Sequence, residues 1–322
     1  MFTRLCAHMS NPRPRAGGFV QMRAFSKINL ILDVVKKRTD GYHELRSIMQ
    51  TLALHDTITI EIMEENTEES LEGLKENPES FILSCDDQAL PVDNRNLVTK
   101  AAKYIIEEYN ITQPIRIQLE KRIPQAAGLG GGSSDCAATM VGLDKLFNLN
   151  IPLHSGGQCT HSLMSIGKGF GADVPFFLLG GTALAEGIGE QLTPLSPHPH
   201  CWVVLACPDI HVSTAEIFGK WKSGITSHSN ITSMIQAIEL GDVRKISDYF
   251  GNDFTQITTG LHPSVHILIK EMKSQGALNA SMSGTGPTVF GYFDHKETAE
   301  KAQKHMYNMT RKAFLTEIYG GA

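Results

Sequence analysis

The residues able to do chemistry fall in three short stretches. The densest is Lys121 to Phe147, KRIPQAAGLGGGSSDCAATMVGLDKLF, where Gly128, Gly130, Gly131 and Gly132 lead directly into Ser133, Ser134 and Asp135. Glycines permit positive φ and a close approach of the backbone to a ligand. A helix opening at that point aims unpaired N–H groups and the positive end of its dipole at an anion. The second stretch is AFSKINLILDVV, which sets Lys27 and Asn29 side by side on one face of a strand. The third is GKGFGADVPFFLLGG, where Asp173 lies between a glycine turn and an apolar run read as a strand. Limited solvation there makes Asp173 a candidate general base. Each stretch has a plainer reading beside it: a flexible loop closed by a Ser cap, a surface lysine on a half-exposed strand, and a turn Asp bonding nearby amides.

The glycine spacing narrows the choice of anion. A Walker A loop needs Lys after its last glycine, where this chain has Ser133. A dinucleotide G-x-G-x-x-G starting at Gly128 needs glycine at the same position and fails there too. Composition excludes other classes. The chain has 322 residues, 41% hydrophobic, with net charge −5 and no basic tract, so it can bury two domains' worth of core and is poorly suited to nucleic acid. The six cysteines form no C-x-x-C pair, which fits a reducing compartment. The longest apolar run, 174–185, is too short and too glycine-broken to span a bilayer.

The elements that must position these residues read as follows. Residues 1–21 hold Arg4, Arg13 and Arg15 without an acid; they read as a leader, as a short transit peptide, or as sequence ahead of a start at Met22. A strand from Arg23 ends at a turn through Asp40-Gly41, after which Tyr42 and His43 offer an aromatic face and a hydrogen-bonding ring, or pack at a strand edge. Ile48 to Ile62 reads as a strand pair, 64–79 as an acidic solvated insert, and Val98 to Tyr109 as a helix preceded by Asn94 and Asn96. Strand Ile115–Leu119 enters the glycine loop, and the apolar spacing from Cys136 to Phe147 predicts a helix starting at Ser133 or Ser134. AEGIGE, 185–190, reads as a turn into the second half. Pro197-His-Pro-His-Cys201 lacks a second ligand group and reads as a proline turn, not a metal site. Strand CWVVLAC follows, then a capping-box signal at Ser213 to Glu216 opening a helix that carries Phe218. Helices are expected through 231–275. A second glycine turn, Ser283 to Gly286, precedes strand Thr288 to Phe293, and 295–310 closes as a helix.

Three blocks, PQAAGLGGGSSDCAA, GADVPFF and SMSGTGPTVF, resemble the three motifs of the GHMP kinases. AFSKINL, DGYHEL, NRNLV, GLGGGSSD and AEGIGE are similar to the branch that acts on a cytidine-diphosphate-linked methylerythritol in non-mevalonate isoprenoid synthesis. The resemblance runs from about Met22 to the last helix. It departs at Ala126, where glycine is common, in the leader, in the 64–79 insert, and at Gly156, Gly157 and Gly167 in a usually helical segment. It implies an α+β, two-domain fold with the active site in the interdomain cleft: an ATP-binding domain over 22–184 and a substrate-binding domain over 185–322. It implies ATP with Mg²⁺, and transfer of the γ-phosphoryl group to the 2-hydroxyl of the cytidyl substrate. It makes Asp173 the base and Lys27 its partner, and places Asn96, Pro124, Gly128, Leu129, Gly130, Gly131, Gly132, Ser133 and Ser134 at the nucleotide. Asn29, Tyr42, His43 and Phe218 fall at the alcohol substrate; protein ligands to the metal are not assigned, though Ser134 is within reach of one. The expected protein is a monomer or homodimer, with no nucleic-acid or membrane partner. It is cytoplasmic if bacterial, or plastid-targeted if 1–21 is a transit peptide.

Overall fold

The computed structural model describes residues 17–64, 81–155, 161–222 and 230–320. At its centre are two long antiparallel strands, β1 (Phe19–Lys37) and β2 (His43–Ile62), rich in the β-branched residues that suit extended backbone. They are joined at Asp40-Gly41, where the Asp40 carboxylate accepts the Tyr42 N–H at 3.1 Å and Gly41 has φ 90°. β2 is long enough to take two further partners in turn. Leu45–Gln50 pairs with β5 (Thr182–Gly187), and Thr57–Ile62 pairs with β4 (Ile115–Glu120). β3 (Phe81–Cys85) lies parallel to β4, β6 (Gln191–Pro194) pairs with β5, and β8 (Gly251–Asn252) lies parallel to β1. A second, antiparallel sheet has the order β11 (Ala313–Glu317), β7 (Trp202–Ala206), β10 (Val289–Phe293), β9 (Ala280–Met282).

Helices α1 (Leu97–Glu108) and α2 (Gly131–Phe147) cover the first sheet, burying Val98, Ala102, Ile105, Met140 and Leu143 against Ile58, Ile60, Ile117 and Leu119. Short helices α3 (Leu163–Phe170) and α4 (Val174–Leu179) follow, then α5 (Thr214–Lys220), α6 (Ile231–Glu239), α7 (Val243–Asp248) and α8 (Thr255–Leu261). Helices α9 (Pro263–Ser274) and α10 (Lys296–Thr310) pack Leu268, Met272, Ala302 and Met306 on one face of the second sheet. Its other face, with Val203, Leu205, Phe290 and Tyr292, closes over Ile28, Leu30, Ile31, Ile48 and Leu52 of β1 and β2. Both faces of β1 are therefore covered, and every residue from Lys27 to Val34 is buried. Any polar side chain in that run must find a partner or serve a ligand.

Several expectations are corrected. β1 starts at Phe19, paired with Glu61, so residues 19–21 belong to a strand and not to a leader; residues 1–16 lie outside the described residues. The expected strand pair at 48–62 is one continuous strand. The apolar run after Asp173 is a helix, α4, with proline in its first turn, a position that tolerates a missing N–H. α2 starts at Gly131, ahead of both predicted serines. Strand β5 crosses the expected boundary at 184/185 and remains with the first sheet. Gly167 is helical: a Cβ there would press to 3.0 Å on Val174 and Leu178, so glycine lets α3 lie close on α4. Nearly all of the acidic insert, with Gly156 and Gly157, falls outside the described residues.

Candidate active site

Lys27 enters the site because β1 is irregular there. The β1–β2 register shifts between Phe25 and Lys27 and again between Asn29 and Ile31, and such bulges re-aim side chains. Lys27 and Asn29 are 4% and 1% exposed. The Lys27 ammonium donates to Asn29 Oδ1 at 2.6 Å and stands 3.6 Å from Asp173 Oδ2. Asn29 Nδ2 donates to Ser47 Oγ at 2.8 Å, and that hydroxyl donates to the Ile31 carbonyl at 2.6 Å. The chain Lys27–Asn29–Ser47 fixes the lysine from below and leaves Asp173 as its charged neighbour. Asp173 occupies the N-cap position of α4, yet its side chain makes no capping bond and is 32% exposed. Its carboxylate is thus held at the mouth of the site, against Lys27 and toward solvent.

The glycine loop lies against the same lysine. The Lys27 N–H donates to the Leu129 carbonyl at 3.0 Å. Gly130 is the N-cap of α2 with φ 74°; a Cβ there would stand 2.4 Å from the Phe177 ring and 3.2 Å from Lys27 Cγ. Gly130 therefore lets loop, lysine and α4 meet. A Cβ on Gly132 would meet nothing within 4 Å, so that glycine faces open space at the start of a 17-residue helix. The first N–H groups of that helix have no intrahelical acceptors, and its dipole is positive there. The Ser133 hydroxyl faces Gly171, two residues before Asp173, whereas Ser134 is buried. Ala126 sits at φ 49°, a left-handed backbone that explains why glycine suits this position.

The second glycine turn closes the cradle. A Cβ on Gly128 would strike the Ser283 carbonyl at 2.5 Å, and Ser283 Oγ donates to the Gly128 carbonyl at 2.9 Å. Gly284 comes near Asn29 Oδ1, 3.7 Å from where its Cβ would be. Two glycine turns, 155 residues apart in the chain, thus meet beside Asn29.

An aromatic cluster forms further along β2. His43 is buried, with its ring 5.1 Å from Phe218 and 5.5 Å, edge-on, from Trp221. Phe218 also packs on Phe254 at 4.6 Å. Burial, with Lys37 nearby, lowers the His43 pKa and keeps the ring neutral, able both to donate and to accept. His43 and Ser47 point the same way along β2, about 13 Å apart at strand rise. Tyr42 points away: it is 61% exposed and has no ring partner among the described residues. Asn96 is used structurally, capping α1 through the Val98 N–H and donating to the Pro91 carbonyl. Pro124 lies in the half-buried loop entry.

Sequence reasoning missed Ser47, Trp221 and a buried ionic group beneath the loop. There Lys121 Nζ bridges Asp56 and Asp135 at 2.5 and 2.7 Å. Burial, with the Asp56 charge close by, pushes the Asp135 carboxyl up to about 7 against the pull of Lys121. The available signal was Asp56 itself, an acid at an inward position of the alternating run LHDTITI. Among the described residues there is no group of three His, Cys, Asp or Glu side chains able to hold a metal ion. No helix among them is long and apolar enough to cross a membrane.

The Lys27–Asp173 pair thus stands beside the glycine-opened start of α2. Residues 96–181 match the GHMP kinases N terminal domain, and residues 234–311 match the GHMP kinases C terminal domain. The chain belongs to the GHMP kinase family. It is an α+β enzyme of that family, an ATP-using kinase. It is 42% identical over 303 residues to 4-diphosphocytidyl-2-C-methyl-D-erythritol kinase of Lachnoclostridium phytofermentans, covering 93% of this chain and 97% of that one. It is 38% identical over 304 residues to the kinase of the same name from Caldicellulosiruptor bescii, covering 94% and 99%. Among solved structures, a 4-(cytidine 5'-diphospho)-2C-methyl-D-erythritol kinase superposes with TM-score 0.77 at 28% identity, over 94% of this chain and all of that one. Mevalonate kinase from L. major, solved with R-mevalonate, shares the fold at TM-score 0.72 and 14% identity, over 97% of this chain and 100% of that one.

Proposed function

We propose that this chain transfers the γ-phosphoryl group of ATP to the 2-hydroxyl of 4-diphosphocytidyl-2-C-methyl-D-erythritol, a step of non-mevalonate isoprenoid synthesis. The observation that carries the reading is the Lys27–Asp173 pair standing at 3.6 Å beside Gly130, the residue that opens α2. The N–H groups from Gly131 to Ser133 hold the phosphates, whereas that of Ser134 donates to the Gly130 carbonyl at 2.9 Å and closes the first turn of α2. Asp173 accepts the proton of the attacking hydroxyl, and Lys27 supplies positive charge where negative charge grows on the transferring group. Gly128 and Leu129 shape the loop, one against the second glycine turn and the other by receiving the Lys27 N–H. Asn96 and Pro124 enter the nucleotide side from the resemblance alone.

Mg²⁺ fits this site as an ion carried by the nucleotide. The side chains facing the loop offer hard oxygens, the Ser133 hydroxyl and the Asp173 carboxylate, too few to bind the ion without phosphate oxygens. When bound it neutralises phosphate charge. The cytosine end is read by His43 and Phe218. The roughly 13 Å along β2 between His43 and Ser47 is of the order a diphosphate-linked alcohol must span. Asn29, bonded to both Lys27 and Ser47, stands at the alcohol end, and Tyr42 at the outer rim. The protein acts as a small-molecule kinase in the cytoplasm, as a monomer or homodimer, with the nucleotide held mainly by the first sheet and its helices.

The test is ADP release with the cytidyl substrate, homoserine and mevalonate as acceptors. The proposal expects kcat/KM for the cytidyl substrate to exceed the others by at least roughly 10³-fold, because the smaller alcohols leave the aromatic pocket empty and its polar ring unpaired. Equal turnover of mevalonate or homoserine contradicts it.

A further inference from the structure

We propose that Asp56 is a positioning residue for the phosphate-holding loop, acting through Lys121 on both ends of it at once. Asp56 is 0% exposed, and both of its oxygens are committed to the loop. Oδ1 accepts the backbone N–H groups of Arg122 at 2.5 Å and Ile123 at 2.8 Å, where β4 gives way to the loop. Oδ2 accepts Lys121 Nζ at 2.5 Å, and the same ammonium donates to Asp135 Oδ2 at 2.7 Å, on the first turns of α2. A Cβ on Gly131 would stand 3.4 Å from that ammonium, so the charge lies directly under the helix start. Asp56 pairs across the sheet with Ala24, three residues from Lys27. The carboxylate of one β2 residue therefore ties the loop's entry and, through Lys121, its exit, while its backbone pairs with the strand that carries Lys27.

Stability alone does not account for this arrangement. Burying two carboxylates and an ammonium is costly, and a well-packed apolar trio of similar size is often as stable or more so. The cluster is also left imperfect, since Asp135 Oδ1 is buried without a hydrogen-bond partner. What the ionic chain supplies is direction: one oxygen accepting two loop N–H groups and a forked bridge hold the loop in one place, as N–H groups that must donate to a transferring phosphate require.

The inference rests on the reading of residues 128–134 as the phosphate site, and the two are separable. The experiment measures affinity for a non-hydrolysable ATP analogue by calorimetry, KM for ATP and for the alcohol, and Tm. The proteins are wild type, Asp56→Asn, the triple variant Asp56→Asn/Lys121→Met/Asp135→Leu, and Gly132→Val. Asp56→Asn keeps an acceptor for the two N–H groups but turns an amide donor toward the ammonium. The expected result is a 10- to 100-fold loss of ATP affinity, with alcohol KM within about twofold of wild type. In the triple variant, which leaves no buried charge behind, Tm is expected to return to or above that of wild type while ATP affinity stays low, a split that a purely structural pillar would not give. Unchanged ATP affinity in Asp56→Asn, or its recovery in the triple variant, overturns the inference. Unchanged ATP affinity in Gly132→Val overturns the loop reading instead.

Discussion

Gly130 and Gly132 are two residues apart, and the structure assigns them opposite sensitivities. Replacing Gly130 with alanine places a Cβ 2.4 Å from Phe177 Cζ on a backbone held at φ 74°. The left-handed conformation costs an L-residue about 1–2 kcal/mol. Forcing the ring and the Lys27 stem aside adds about 1–3 kcal/mol of overpacking. The sum, about 2–5 kcal/mol, is a large part of an ordinary folding free energy and lowers Tm by roughly 4–10 °C. Because Lys27 Cγ is among the displaced atoms, kcat should fall too. Gly132→Ala meets nothing within 4 Å and lies inside the first turn of α2, so it should be neutral or stabilising by up to about 1 kcal/mol. Differential scanning calorimetry on both variants, with ADP-release kinetics, checks this. A Gly130→Ala protein that melts with wild type, or a Gly132→Ala protein that loses several degrees, refutes the reasoning.

Other outcomes follow from the same geometry. Phe218→Ala should raise KM for the cytidyl substrate roughly 5- to 150-fold, the worth of about 1–3 kcal/mol of stacking, and leave KM for ATP nearly unchanged; an unmoved cytidyl KM removes Phe218 from the site. Trp221→Leu should raise the same KM by loosening the His43 ring, with steady-state kinetics again the check. His198 is buried, bonded to Tyr292 Oη, and its pKa is driven down to about 4 by burial. The unfolded chain therefore binds a proton near pH 6.5 that the folded chain refuses until about pH 4, so stability is full above that window and falls by up to about 3 kcal/mol as pH drops through it. Urea titrations from pH 7 to 4.5 should show this slope and a flatter one in His198→Gln.

What was legible depended on whether a residue's role was local. The glycine loop, its helix and the Asp173 turn are written in contiguous residues, so their chemistry could be read and only their boundaries slipped. α2 begins early because Gly130 caps it by backbone conformation, without the side chain that marks most helix starts. The run VPFFLL was read as a strand because six apolar residues carry no period; Pro175 in the first turn was the arbiter. Residues 48–62 were read as a strand pair, whereas β2 runs unbroken through the polar His55-Asp56, and Asp56 points inward to hold a loop 66 residues away. Tyr42 and His43 are adjacent in sequence, but Tyr42 ends the exposed turn while His43 begins β2 on its buried side, and the sequence alone did not say which of them faces the pocket. The short strands β3 and β11 carry five residues each and are paired by tertiary context. Ser47 and Trp221 act through contacts that no spacing announces.

Whether Asp173, held by Lys27, activates the 2-hydroxyl of the cytidyl substrate toward ATP is tested most directly by following the reaction by ³¹P NMR with wild type and Asp173→Asn. One new phosphomonoester resonance is expected on the alcohol, with the substrate's diphosphate signals intact. In a folded Asn variant with ordinary ATP affinity, that resonance should appear roughly 10²–10⁴-fold more slowly. A product phosphorylated elsewhere, ADP formed without any phosphomonoester, or near-normal turnover in Asp173→Asn would contradict it.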